Sequence, residues 1–148
     1  SETHCCLSME EVTKAYAKNR REVVEEVLSR AQAAEDFGDG VEASMQYRAG
    51  FEIVDGLWSE EEEGRLEALL GIMEKMIQAM KNGGLKVEVT DQARLAELLG
   101  ENGEHKKALE VWEDVMKEVR VEDETGQDGL FIAKAFFGAA DALRVTGR

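Results

Sequence analysis

The chain reads as an all-α protein of about six helices. Three observations carry that reading. The 148 residues contain no proline, where average usage would place about 7, so the main helix breaker is missing. Glu, Ala and Leu, all strong helix formers, are abundant. Apolar residues recur at spacings of three and four along most of the chain, the period of one helical face.

The elements follow in order. Ser8 is placed to cap the first helix, with Glu11 three residues on as the second half of a capping box. The helix runs to about Asp36, its apolar face carrying Val24, Val27, Leu28, Ala31 and Ala34. Phe37-Gly38-Asp39-Gly40 forms the first turn. A second helix spans about Val41 to Trp58. Ser59 is the expected cap of a third, with Glu60 to Glu63 in a first turn that favours negative charge. That reading makes residues 60–82 one unbroken helix, ending at Asn82-Gly83-Gly84. Leu85 to Val89 is a short extended linker. Thr90 is the expected cap of the fourth helix, and Glu101-Asn102-Gly103 turns the chain into a fifth, from about Glu104 to Val121. A polar loop, Glu122 to Gly129, leads to an unusually apolar sixth helix reaching Val145. The expected organisation is therefore a flexible stretch at 1–8, a three-helix part at 9–82, a linker at 83–89 and a second helical part at 90–148.

Composition restricts the function. A balance of 18 basic against 32 acidic residues gives a net charge of −14, which opposes nucleic acid and anionic lipid. Such a surface suits a basic partner. No apolar run is long enough to span a membrane. Ser1 to Ser8 lack the apolar run of a signal peptide, and the only cysteines are the adjacent pair Cys5-Cys6, so a reducing, intracellular (cytoplasmic) setting is expected.

Two parts of the chain align at an offset of 65 residues. Gly38 matches Gly103, Ala43 matches Ala108, Tyr47 matches Trp112, Gly50 matches Val115 and Ala31 matches Ala96. Small residues where two helices cross, and a large aromatic one turn later, form a packing code for a helix pair. These positions resemble the tetratricopeptide repeat (TPR), with residues 90–121 the best match and 25–57 a second, and the resemblance implies antiparallel helix-turn-helix repeats stacked as a short right-handed superhelix. Phe136, Ala140, Leu143 and Gly147 resemble the first helix of a further, incomplete repeat. The 44 residues from Gly103 to Gly147 are close to the longer repeats of kinesin-light-chain-type TPRs. Two features depart from the family: no proline closes a repeat, and residues 60–82 carry no central turn. Residues 25–82 are in turn similar to the three-helix MIT (microtubule interacting and trafficking) domain, through Asp36, Ala43, Tyr47 and a charged third helix from Arg65 to Lys81.

No catalytic constellation stands out. His4, Cys5, Cys6 and His105 are too scattered for a zinc site. Glu60 to Glu63, Asp123 and Glu124 read as solvated charge, and Asp36, Asp39 and Glu42 lack the calcium-loop spacing. Neither a phosphate-binding glycine loop nor a nucleophile elbow is present. Tyr47, Trp58 and Trp112 read as core, and Phe131, Phe136 and Phe137 as core or an end cap. The expected protein is not an enzyme and uses no cofactor or metal.

The TPR resemblance implies a concave surface that binds a peptide or partner helix. Its positions here are Leu28 and Gln32, Ala93 and Glu97, and Phe137 and Asp141, with Arg144 one turn further on. None of the first six is basic, which disfavours the subclass that grips a C-terminal carboxylate. The implied function is a scaffold or adaptor whose acidic and apolar groove, with Glu97, Phe137, Asp141 and Arg144 as partner-binding residues, takes a basic or apolar segment. The MIT resemblance implies instead an amphipathic tail helix bound against residues 63–81. A third alternative is self-association through the Phe-rich last helix.

Overall fold

Helix-forming composition and a three-to-four periodicity produce long helices joined by tight turns. The computed structural model describes residues 8–122 and 129–147, and among these it contains six α-helices and no strand. They are α1 (Met9–Asp36), α2 (Gly40–Leu57), α3 (Arg65–Asn82), α4 (Val89–Glu101), α5 (His105–Glu122) and α6 (Gly129–Thr146). Each packs mainly on its neighbours in sequence, and α4 also touches α6. No helix among the described residues is long and apolar enough to cross a membrane.

The Ser8 capping box forms as expected: Glu11 N–H donates to Ser8 Oγ at 3.1 Å, and Ser8 N–H donates to Glu11 Oε2 at 3.3 Å. The ends of α1 and α4 close with one backbone pattern, which also closes α3 at Gly83 to Leu85. Phe37 N–H donates to Ala33 O and Asp39 N–H to Ala34 O. At the second turn Asn102 N–H donates to Leu98 O and Glu104 N–H to Leu99 O. Gly38 (φ 85°) and Gly103 (φ 80°) occupy the left-handed position that closes both helices. The paired alanines are core in both hairpins: Ala31, Ala43 and Ala96 are 0% exposed and Ala108 2%. Tyr47 and Trp112, the paired aromatics, are buried beside them.

One continuous apolar cluster includes residues of every helix. Leu69, Leu98 and Leu109 are fully buried, each contributing about 1.5–3 kcal/mol of transfer free energy. The start of α2 lies so close to the end of α3 that a Cβ on Gly40 would meet Gly83 N at 2.6 Å. Polar clasps join α2 to α4. Arg48 donates to both carboxylate oxygens of Asp91, at 3.1 and 2.6 Å, and Asp91 is buried. Arg94 donates to Asp55 at 2.9 Å, with its guanidinium 5.9 Å from the centre of the Phe51 ring. Arg65, at the start of α3, reaches the same Asp55 carboxylate at 3.2 Å.

Three sequence expectations need correction. Ser59 does not cap a helix, and residues 60–82 are not one helix. Residues 59–64 form turns, and α3 starts at Arg65 after the left-handed Gly64 (φ 81°). The cause is tertiary: Glu62 turns inward to Arg20 (2.7 Å) and Arg21 (3.6 Å) of α1, an interaction the helical dipole reading did not anticipate. Thr90 is likewise not a cap; α4 starts one residue earlier, with Glu88 at the N-cap and no side-chain cap bond. Phe137 is not core but 77% exposed. The side chains of Phe131 and Phe136, the stretch 1–7 with His4, Cys5 and Cys6, and the acids Asp123 and Glu124 lie outside the described residues.

Candidate partner-binding groove

The site grows out of the α4–α5 hairpin. Ala96 on α4 and Ala108 on α5 let the two helices approach, and Trp112, one turn along α5, fills the angle between them. α6 then lies across Trp112. It can do so because residue 138 is glycine: a Cβ there would stand 2.3 Å from Trp112 Cε2 and 2.5 Å from Nε1. Ala142, four residues on, is buried on the same side. Between α4 and α6, above this floor, lies a groove of about 350 Å³.

The floor consists of Ala96, Gly100, Ala108, Trp112, Gly138 and Ala142. Three carboxylates, Glu97, Glu101 and Asp141, and the half-buried His105 line it as well. Glu97 and Asp141, 44 residues apart in sequence, thus share one cavity. Each is paired with an arginine one turn away on its own helix: Arg94 at 3.4 Å from Glu97, Arg144 at 2.8 Å from Asp141. Neither arginine lines the groove. The Asp141–Arg144 pair is exposed, and such a pair contributes little to stability and exchanges easily, whereas the Glu97–Arg94 pair is half-buried.

Of the expected binding residues, Glu97 and Asp141 are brought together, Arg144 is attached through Asp141, and Phe137 points elsewhere, exposed but outside the groove lining. Ala93 is buried core, Leu28 is half-buried and Gln32 lines a different, polar cavity near the first turn. Sequence reasoning missed Gly138 and gave His105 no part in the groove. The signal for Gly138 was weak: Gly138 and Ala142 stand at i and i+4, but Ala133, Ala135, Ala139 and Ala140 make small residues common along the same helix.

Glu101 also borders a larger, open cleft of about 1080 Å³, lined by Asp55, Glu60, Glu63, Glu67, Arg65 and Arg94 among others. That cleft is lined mainly by charged side chains, with Leu66 its one large apolar residue, whereas the smaller groove has Trp112 and three alanines, so the smaller groove is the better candidate. Below the groove's mouth, Glu104 at the α5 start is held below the usual carboxylate range by the Asn102 amide and the Lys107 ammonium. The described residues contain no group of three His, Cys, Asp or Glu side chains placed to hold a metal ion. No protein-family model matches the chain, and no match was found among curated proteins or solved structures.

Proposed function

We propose that this protein is a non-enzymatic interaction module, a TPR-like stack of helical hairpins that docks a basic segment of a partner protein between α4 and α6. The observation that carries the reading is the pairing of Glu97 and Asp141 across one groove with an apolar floor. The floor removes apolar surface of the partner from water, which supplies affinity. The carboxylates select positive charge and speed encounter. The net charge of −14 acts in the same direction and beyond the groove. Binding of this kind weakens as salt rises, because the Debye length is about 10 Å at 0.1 M.

The test is fluorescence anisotropy with short labelled peptides in which lysine or glutamate is spaced by alanine. The lysine peptide should bind and the glutamate peptide should not. Glu97→Lys and Asp141→Lys should each weaken the lysine peptide about tenfold at low salt, which corresponds to ~1.4 kcal/mol. If both variants bind it as the wild type does, the acidic groove is not the site.

A second reading, self-association through α6, is favoured by one observation, the exposure of Phe137 together with Leu143 and Val145. Light scattering over a concentration series tests it, and a strict monomer removes it. An MIT-type use of α3 has less support: the exposed positions of that helix include Glu67, Gly71, Glu74, Lys75, Gln78 and Lys81, while Met73 and Met76 are buried.

A further inference from the structure

The groove's size and its two chemistries narrow what can fill it. Its volume of about 350 Å³ is at the small end of ligand pockets, which run from about 300 to 1,000 Å³. That is room for one large side chain and not for the face of a helix. An aliphatic or aromatic side chain would cover the Trp112 floor but would strip water from Glu97, Glu101 and Asp141 without replacing those hydrogen bonds, which is unfavourable. A compact cation would satisfy the carboxylates and leave the floor uncovered. A long basic side chain does both, because its methylene stem lies on apolar surface while its charged head stays at the polar edge.

Resting on the reading above, we propose that the groove anchors its partner through a single inserted lysine or arginine, its stem along Trp112 and Gly138 and its cationic head between Glu97 and Asp141. The chain shows that both carboxylates accept such a head. Glu97 already takes a guanidinium N–H from Arg94 at 3.4 Å, and Asp141 one from Arg144 at 2.8 Å. Those donors come from positions that do not line the groove. A partner cation entering over the floor competes with these pairs from the groove side.

The experiment uses a lysine peptide of non-repeating sequence, in which no second lysine can take the anchor's place without shifting the rest of the peptide out of register, with one lysine at a time replaced by norleucine, which keeps the stem and loses the charge. Binding is followed by anisotropy and by the indole N–H resonance of Trp112, assigned with a Trp112→Phe variant. One replacement position should cost about tenfold in affinity and the others two-fold or less. The unmodified peptide should shift the Trp112 indole and leave that of Trp58 in place. A Glu97→Gln/Asp141→Asn double variant should bind the lysine and norleucine forms alike. Equal losses at every position, or a norleucine form as tight as the lysine form, would overturn the single-anchor proposal while leaving the basic-segment reading standing. Absence of binding by the unmodified lysine peptide at low salt would remove both.

Discussion

Replacing Gly138 with alanine isolates the contact on which the groove is built. Two effects oppose each other. In a helix interior, Gly→Ala stabilises by roughly 0.5–1 kcal/mol, because glycine loses more backbone freedom on folding. Against that, the new methyl would sit 2.3–2.6 Å from three atoms of the Trp112 indole, where carbon contacts need about 3.5–4.0 Å. The ring must withdraw by about 1 Å, and Trp112 is only 5% exposed, so little space is open to it. Overpacking of this kind costs about 1–3 kcal/mol, so the net effect is a loss of about 1–2 kcal/mol. Gly71 supplies the control: it lies in α3, is exposed, and a Cβ there meets nothing within 4 Å. Gly71→Ala should therefore raise stability by about 0.5–1 kcal/mol. Urea unfolding followed by circular dichroism at unchanged m-value reads both variants. If Gly138→Ala stabilises as much as Gly71→Ala, α6 does not lie against Trp112 as described and the groove loses its floor.

Three further outcomes are expected. Gly40→Ala places a methyl 2.6–2.7 Å from Gly83 N and Ala79 O, which are backbone atoms; it should cost at least about 2 kcal/mol and lower the thermal midpoint, and an unchanged melt would contradict the α2–α3 approach. Arg48→Met leaves the buried Asp91 carboxylate without its two donors. Because the Arg48 side chain is 43% exposed and water reaches the pair, the loss should be about 1–3 kcal/mol, below the figure for a fully buried pair. An Arg48→Met/Asp91→Leu double variant should recover most of it in the same urea assay. Tyr47 is 1% exposed, with the Glu35 carboxylate beside its hydroxyl; burial first, then Glu35, push its pKa from 10.0 up to about 12. Between those values the unfolded chain gives up the phenol proton and the folded one keeps it, so stability is intact below pH 10 and falls as pH rises towards 12, by about 2–3 kcal/mol in all. Tyr47→Phe should be nearly neutral at pH 7 and flatten this alkaline loss; matching pH profiles would refute the assignment.

Much of the fold was legible locally. The Ser8–Glu11 box, the glycine turns and the three-to-four periodicity depend on neighbours a few residues away, and those elements lie close to where the sequence places them. The aligned Ala31, Ala43, Ala96 and Ala108 signalled close helix crossings, and all four are core. The failures are equally specific. Four glutamates after Ser59 satisfy the rule for a helix start, but Arg20 and Arg21, some 40 residues earlier in the chain, draw Glu62 into a turn. Phe137 obeys the apolar pattern of its helix and still faces outward, because a nearly all-apolar helix does not say which side its neighbours cover.

The sequence alone therefore determined that the chain is helical, where most turns fall, that Ala31, Ala43, Ala96 and Ala108 are pressed between helices and that the surface is acidic. These are consequences of backbone propensity, glycine stereochemistry and composition, and none needs a distant partner. Tertiary structure decided the rest. It brought Glu97 and Asp141 onto one groove, set Gly138 against Trp112 beneath them, and tied α4 back to α2 through Arg48–Asp91 and Asp55–Arg94. Those pairings depend on the angle and rotation at which helices settle, which the whole packed core fixes together. A residue's position on its own helical face cannot specify what the next helix places opposite it.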